Sequence, residues 1–515
     1  MPIELSDITF TDQDDVVPAS GVEQILNTGI ANTLAGNDIT TGTGRFFGVY
    51  NSSTINTANG NDIITGISNK ENSSDSYPYI YGIFNGKANL IDIFEIDQNH
   101  FFIDTSGEPF LGEIPDFNQD TSTIDTGNGD DTLIGIANIN PSTGIENHLG
   151  IINTGDGSDT IIATGSNGLS NNRGIIDTGK GSDTITGTGN ISHGIANSFL
   201  INTGDDNDTV IGAGYYYGIL NYRAIDTSAG NDIITGISTT GNTDGIYNVR
   251  LSNIDTGDGN DTIVGIGKIG ILNEGTIDTG NGADSIIANQ SSDGPGLLSG
   301  LYNFGTINTD NGNDSIISQG KFINRGMVFL GEDNDSIAAD TDFSDRALEN
   351  LGFIGTGNGN DTITSTGVIY NEGVIETGNG EDSIIVNGGV DENGTRYGIY
   401  NNGGAINMGD GNDSIIANEG FESGPNSSGA WFLGDGEDYI KGYGSGDFYG
   451  GNGNDTLELT PGSYTVGIWG QGQDTSVIFT KGNSLMITSE FEQLIAGGTT
   501  YNFANLTAGQ TIVVA

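Results

Sequence analysis

One cassette recurs along nearly the whole chain: Ile-Asp/Asn-Thr-Gly-x-Gly-x-Asp-Thr/Ser-Ile. Clean copies run Ile254-Asp-Thr-Gly-Asp-Gly-Asn-Asp-Thr-Ile263 and Ile277-Asp-Thr-Gly-Asn-Gly-Ala-Asp-Ser-Ile286. The closing Asp can be followed as Asp38, Asp62, Asp131, Asp159, Asp183, Asp208, Asp232, Asp261, Asp284, Asp314, Asp335, Asp361, Asp382, Asp413, Asp438 and Asp455. Most intervals lie between about 21 and 31 residues and cluster near 24; two depart, about 69 from Asp62 to Asp131 and about 17 from Asp438 to Asp455. Periods of this size belong to stacked repeats, in which each unit buries its apolar face only against its neighbours.

The flanks of the cassette are short, β-branched and alternating, as in Asp159-Thr-Ile-Ile-Ala and Asp314-Ser-Ile-Ile-Ser. That is strand patterning with period two. Gly interrupts it every few residues, 86 of 515 in all, and supplies positive φ at corners without steric cost. The reading is an all-β parallel β-helix or β-roll solenoid with one coil of about 24 residues per repeat. A second signature, Gly-Ile/Leu-x-Asn, falls between the acidic turns and ends in Asn147, Asn171, Asn197, Asn221, Asn248, Asn273, Asn303 and Asn401. Related Asn residues are Asn32, Asn51, Asn85, Asn324, Asn350 and Asn371. Coils stacked about 4.8 Å apart bring such amides within hydrogen-bonding distance along a ladder. The coil is therefore expected to have an apolar Ile interior, one Asn corner and one acidic corner.

Composition narrows the function. Lys and Arg total 14 against 68 Asp and Glu, a net charge of −54, so a nucleic-acid partner is excluded for want of a basic surface. There is no Cys, hence neither disulfide nor thiolate metal site. No stretch approaches the 18 apolar residues of a membrane span. The first ten residues, Met1-Pro-Ile-Glu-Leu-Ser-Asp-Ile-Thr-Phe10, lack the basic and apolar regions of a conventional signal peptide.

A carboxylate column is costly unless neutralised. Unit charges about 5 Å apart repel by roughly 1 kcal/mol in water and about 3 to 4 kcal/mol at an effective dielectric near 20. Hard divalent cations held by carboxylate and backbone carbonyl oxygens would remove that repulsion, and Ca2+ suits flexible loops better than Mg2+. The alternative is a solvated turn whose Asp caps backbone amides.

The nonapeptide Gly-Gly-x-Gly-x-Asp-x-(apolar)-x is the calcium-binding repeat of RTX (hemolysin-type) proteins, and Gly450-Gly-Asn-Gly-Asn-Asp455-Thr-Leu457-Glu matches it throughout. Upstream, Gly434-Asp-Gly-Glu-Asp438 and Gly442-Tyr-Gly-Ser-Gly-Asp447 continue the series. The chain thus resembles a divergent, long-coil RTX protein with near-standard repeats at its C-terminal end. The resemblance implies multiple Ca2+ ions between successive turns, ligated by the sixteen Asp residues above together with Asp447. It departs from the family in having Thr for the first Gly, as in Thr126-Gly-Asn-Gly-Asp-Asp131, and one cassette per coil. Degraded copies occur at Thr33-Leu-Ala-Gly-Asn-Asp38, Thr57-Ala-Asn-Gly-Asn-Asp62, Thr203-Gly-Asp-Asp-Asn-Asp208 and Thr227-Ser-Ala-Gly-Asn-Asp232.

Three segments are expected: an N-terminal cap over 1–20, the solenoid over 21–455 with an insertion near 86–121, and a C-terminal region over 456–515. The last resembles the uncleaved type I secretion signal of RTX proteins and would also close the solenoid. The leading functional expectation is a secreted, calcium-loaded structural or adhesive protein of the cell surface or extracellular matrix, with surface polysaccharide or further copies of itself as partners. The rival is an extracellular polysaccharide-acting enzyme using the insertion, which holds His100, Asp104, Glu108, Glu113 and Asp116. A third is an ice- or crystal-surface-binding protein presenting its Thr residues in an array. No catalytic Ser elbow, zinc helix or phosphate loop occurs.

Overall fold

The computed structural model describes residues 2–17, 24–69, 80–86, 122–138, 140–291, 299–341, 346–390, 396–424, 429–470 and 475–515. The insertion's His100, Asp104, Glu108, Glu113 and Asp116 lie outside them. The fold is an all-β parallel solenoid, in two units: residues 1–280 with 291–297, and residues 281–290 with 298–515.

In the first unit each coil contributes three strands. One coil runs Thr143–His148, Ile151–Asn153, the acidic turn, then Thr160–Gly165. Successive coils pair in parallel and in register: Thr132 lies against Thr160, Thr160 against Thr184, and Thr184 against Thr209. Alternation sends one side chain inward and the next outward, so each strand adds aliphatic residues to an inner column. Ile152, Ile176, Ile201 and Ile225 form one column, Ile161, Ile185, Val210 and Ile234 a second, and Leu169, Ile195, Ile219 and Ile246 a third, all fully buried. Each such side chain contributes about 2 kcal/mol of burial.

The Gly of the Gly-Ile/Leu-x-Asn signature has its own reason. A Cβ on Gly194 would stand 2.3 Å from the backbone nitrogen of Ala213, and one on Gly218 2.0 Å from that of Ile237. The strand after the acidic turn and the strand bearing the signature approach backbone to backbone, and only Gly permits that.

The long interval from Asp62 to Asp131 is a single coil step. Thr54–Asn56 pairs directly with Thr123–Asp125, and Ile63–Ser68 with Thr132–Ala137. The chain departs after Tyr81–Gly86, itself paired with both neighbouring coils, so the insertion leaves at the Asn corner and no coil stands between its flanking strands.

The second unit repeats the plan with longer strands entering the turn, as in Met327–Glu332, Phe353–Asn358 and Val374–Asn379. Its interior takes larger side chains toward the C-terminal end, where Trp431 and Phe448 stack at 4.3 Å. The short interval has a simple cause: the third face of that coil shrinks to a bridge between Phe421 and Gly444. Beyond Leu459 antiparallel pairing enters, while Ser484–Ser489 and Gln493–Ala496 still pair in parallel with Gly446–Gly453 and Thr456–Leu459. Gly462–Trp469 lies antiparallel to Ser476–Lys481 and to Thr511–Val514. Ser476–Lys481 lies antiparallel to Ser484–Ser489, and Gln493–Ala496 to Thr499–Asn502.

Candidate metal-binding column

Most of the acidic turns fold with two residues in left-handed φ, and those closing at Asp232 and Asp438 with one, Ser228 and Gly434. In the copy ending at Asp159 the two are Gly155 (φ 89°) and Gly157 (φ 153°). Side chains are excluded as well: a Cβ on Gly155 would lie 1.6 Å from the carbonyl oxygen of Gly127 in the adjacent coil. The degraded copies keep the conformation regardless. Leu34, Ala58 and Ser228 hold φ of 69°, 62° and 59° at the first Gly position, and Asp206 holds 87° at the second. Left-handed φ at a non-Gly residue costs about 1 to 2 kcal/mol, so stacking imposes the turn where sequence does not favour it.

Turn geometry brings the closing Asp residues into columns within each unit. In the first, the backbone N–H of Asp38 donates to Asp62 Oδ1 (2.7 Å), Asp62 to Asp131 (2.6 Å), Asp131 to Asp159 (2.7 Å), Asp159 to Asp183 (2.7 Å), Asp183 to Asp208 (2.7 Å), Asp208 to Asp232 (2.7 Å) and Asp232 to Asp261 (2.7 Å). In the second, the series runs from Asp284 through Asp314, Asp335, Asp361, Asp382, Asp413 and Asp438 to Asp455 at 2.7–3.0 Å. Every one of these Asp residues is buried, none more than 2 % exposed. The amide-capping role is thus real, but it joins neighbouring coils rather than closing one turn.

Oδ1 is accounted for, and Oδ2 is not. From Asp38 to Asp232 in the first unit, and from Asp314 to Asp455 in the second, each Oδ2 is buried with no hydrogen-bond partner. Leaving a carboxylate oxygen out of water with no partner costs several kcal/mol when charged. The acidities respond. Burial pushes Asp131 and Asp159 up to about 7 and Asp208 and Asp335 up to about 8, and neighbouring carboxylates along the column add to it. Asp62, Asp183, Asp261, Asp314 and Asp438 rise to about 6, and Asp413 and Asp455 to about 7, again mainly by burial.

Both columns have terminal members not singled out in the sequence. Asp15 N–H donates to Asp38 Oδ1 at 2.8 Å, and Asp455 N–H donates to Glu492 Oε2 at 2.8 Å. Asp15 stands about one period before Asp38 and is followed by Val16-Val17, a usable signal; Glu492 follows no cassette and gives none. Asp447 is placed differently from its expected role. It lies in the strand Gly446–Gly453, paired with Ala430, on the approach to the turn rather than in the column.

The opposite corner is the Asn ladder. Nδ2 of Asn147 donates to Asn171 Oδ1 (2.9 Å), Asn171 to Asn197 (2.8 Å), and Asn197 to Asn221 (3.0 Å). Asn303, Asn324, Asn350, Asn371 and Asn401 repeat this in the second unit. Each Nδ2 also reaches a carbonyl of the following strand, as Asn147 does at Ile175 (2.9 Å). The expectation for Asn32 fails: it lies exposed in Ile30–Asn32, and Asn27 is the ladder member, donating to Asn51 Oδ1 at 2.9 Å. Gly29-Ile-Ala-Asn32 matches the signature by sequence, but it directly precedes the turn. The Thr before each turn is also internal. Thr126, Thr154 and Thr178 are fully buried, and each hydroxyl donates to the Thr carbonyl of the next coil at 3.2–3.4 Å. That array faces no external lattice.

The column itself offers carboxylate oxygens, which suit a hard cation such as Ca2+. Carboxylates arrive one per coil, and among the described residues no group of three or more His, Cys, Asp or Glu converges on one point. An ion here would therefore draw on backbone and hydroxyl oxygens of the turns beside Asp Oδ2.

No family model and no curated protein matches the chain. A search of solved structures pairs it with the crystal structure of a hyperactive, Ca2+-dependent, β-helical antifreeze protein from an Antarctic bacterium. The identity is 18 % over 79 % of this chain and 84 % of that one, with a TM-score of 0.35. An overlap that loose transfers nothing to this chain. No helix among the described residues is long and apolar enough to cross a membrane.

Proposed function

We propose that this chain is a secreted calcium-binding β-solenoid of the RTX type, with a structural or adhesive role at the cell surface or in extracellular matrix. The observation that supports it is the buried Asp Oδ2 left without a hydrogen bond in the coils from Asp38 to Asp232 and from Asp314 to Asp455. Such an oxygen is made tolerable by a proton or by a cation, and Ca2+ at millimolar extracellular levels supplies the second. The Asp series Asp38 to Asp261 and Asp284 to Asp455 would hold the ions together with turn oxygens; Asp447, off the column, would not. Bound Ca2+ would supply charge neutralisation and part of the folding free energy.

The segments keep their proposed roles: 1–20 covers the first coil, 21–455 is the calcium-loaded solenoid, and 456–515 closes its end and carries the type I secretion signal. The strands after Leu459 support the closing role, since Ser484–Ser489 and Gln493–Ala496 pair with the last coil and are themselves followed by antiparallel partners. Polysaccharide of the cell surface remains the proposed adhesive partner, and the protein is proposed to have no catalytic activity.

The test is ion content. Protein dialysed against calcium and then against calcium-free buffer is analysed for bound metal by inductively coupled plasma mass spectrometry, alongside Asp159→Asn, Asp183→Asn and the double variant. Several Ca2+ per chain are expected, with stepwise loss in the variants. Wild type retaining less than one Ca2+ per chain would end the metal reading.

A further inference from the structure

The strand after the acidic turn presents a second surface. In the first unit eight such strands stack in register: Ile39–Gly44, Ile63–Ser68, Thr132–Ala137, Thr160–Gly165, Thr184–Gly189, Thr209–Gly214, Ile233–Ser238 and Thr262–Gly267. Residues one, three and five of each point outward and none is buried, forming three straight columns. Of these twenty-four positions, twelve are Thr and the rest are Ile, Val or Ala. None is charged, in a chain of net charge −54. None is aromatic either, although stacking rings are the usual apolar contacts for flat partners.

Strand propensity alone does not explain this. The equivalent strands of the second unit share the cassette and the fold, yet their outward positions include Asp340, Lys441 and Glu458. The neighbouring strands of the first unit, those before the turn, carry Asp125, Asp177, Asp226 and Asp255 outward. The uncharged surface is thus specific to one sheet of one unit.

We infer that this Thr/Ile face is a docking surface for a second copy of the chain, packed sheet on sheet. Charge selects that partner geometry. Two copies repel wherever carboxylates meet, and this sheet is where they can approach without opposing like charges. Size agrees. Eight strands about 4.8 Å apart, each contributing about five residues at 3.3 Å, give roughly 600 Å2 per copy, or roughly 1,200 Å2 for the pair, above the ~1,000 Å2 of a specific interface. Side chains agree too: Thr, Ile and Val are stiff at χ1 and lose little freedom on packing. Sheets stacked face to face lie about 10 Å apart, which two layers of β-branched side chains fill. The two-fold contact puts the sheet centre, between Ile162 and Thr186, against its own counterpart, with Ile211 one strand beyond Thr186. The inference does not depend on the metal.

The experiment is sedimentation velocity on the full chain over a concentration series, in calcium and in chelator. Wild type is compared with Thr186→Arg, Ile211→Glu and a control, Thr364→Arg, at the corresponding outward position of the second unit. Circular dichroism confirms that each variant is folded. A dimer is expected for wild type and Thr364→Arg, with dissociation at least about tenfold stronger in Thr186→Arg and Ile211→Glu, because each dimer then buries two like charges. A monomer at every concentration overturns the inference, as does a dimer indifferent to both central substitutions. Monomeric protein that shows thermal hysteresis, abolished by the same two substitutions, also overturns it and assigns the face to ice.

Discussion

Replacing Asn171 by Ala measures what the Asn corner contributes. Asn171 Nδ2 donates to Asn197 Oδ1 at 2.8 Å and to the Leu200 carbonyl at 2.8 Å, while its Oδ1 accepts from Asn147 Nδ2 at 2.9 Å. Truncation removes all three bonds at a fully buried site. Two of the former partners are partly served elsewhere: Asn147 Nδ2 still reaches the Ile175 carbonyl, and Asn197 Oδ1 still accepts the Phe199 N–H at 3.3 Å. Three bonds at about 1 kcal/mol each, plus a small cavity, give an expected loss of about 3 to 4 kcal/mol. The control is Asn153→Ala, whose half-exposed side chain makes one 3.1 Å bond to Asp125 and should cost about 0.5 kcal/mol. Guanidinium denaturation gives the magnitudes, and amide hydrogen exchange gives the location. Coupling in a solenoid is between nearest neighbours, so faster exchange should centre on the strands Asn167–Asn172 and Ile195–Asn197. A loss below about 1 kcal/mol, or one equal to that of the control, would refute a ladder that holds the corner together.

Other outcomes follow from the turns, the insertion and the end of the column. Gly155→Ala drives a methyl group into the Gly127 carbonyl and should cost at least about 3 kcal/mol, whereas Ala58→Gly relieves a φ of 62° and should stabilise by up to about 1 kcal/mol; thermal melting separates the two signs. Replacing residues 87–121 by one residue should leave the melting temperature within about 3 °C, because Asn51, Asn85 and Asn147 already bond in succession across that point. Glu492→Ala removes the acceptor for Asp455 N–H and should cost about 1 to 2 kcal/mol, while Glu492→Gln, which keeps an acceptor, should cost less in the same denaturation assay.

The solenoid was legible because each coil obeys the same local rules. Alternating β-branched residues set the strands, Gly sets the turns, and a fixed spacing sets the register of Asp159 on Asp183 or Asn171 on Asn197. Features depending on which element a motif joins were harder to read. Gly29-Ile-Ala-Asn32 carries the ladder signature yet sits beside the acidic turn, and Gln24-Ile-Leu-Asn27, lacking the Gly, supplies the ladder. Asp447 fits a nonapeptide but enters a strand, because its coil has lost most of one face. The split of the Asp carboxyl into a bonded Oδ1 and an orphaned Oδ2, from Asp38 to Asp232 and from Asp314 to Asp455, is a three-dimensional fact that no spacing encodes. The outward Thr/Ile columns were present as letters, but alternation alone could not tell the inward half of a coil from the outward half.

The central claim is that the buried Asp column requires a proton or a cation, and melting measured against pH with and without calcium tests it most directly. Burial holds Asp131, Asp159 and Asp413 at about 7 and Asp208 and Asp335 at about 8 in the fold, against 3.8 as the ordinary value. Between about pH 4 and 8 the metal-free fold therefore binds more protons than the unfolded chain, so its stability falls as pH rises through that window. In chelator, the melting temperature should drop steadily from pH 5 to pH 8. In millimolar Ca2+ it should be restored at pH 8 and change little at pH 5, where protons already occupy the column. Identical melting at pH 8 with calcium and with chelator, or a metal-free melting temperature that climbs with pH, would contradict the account.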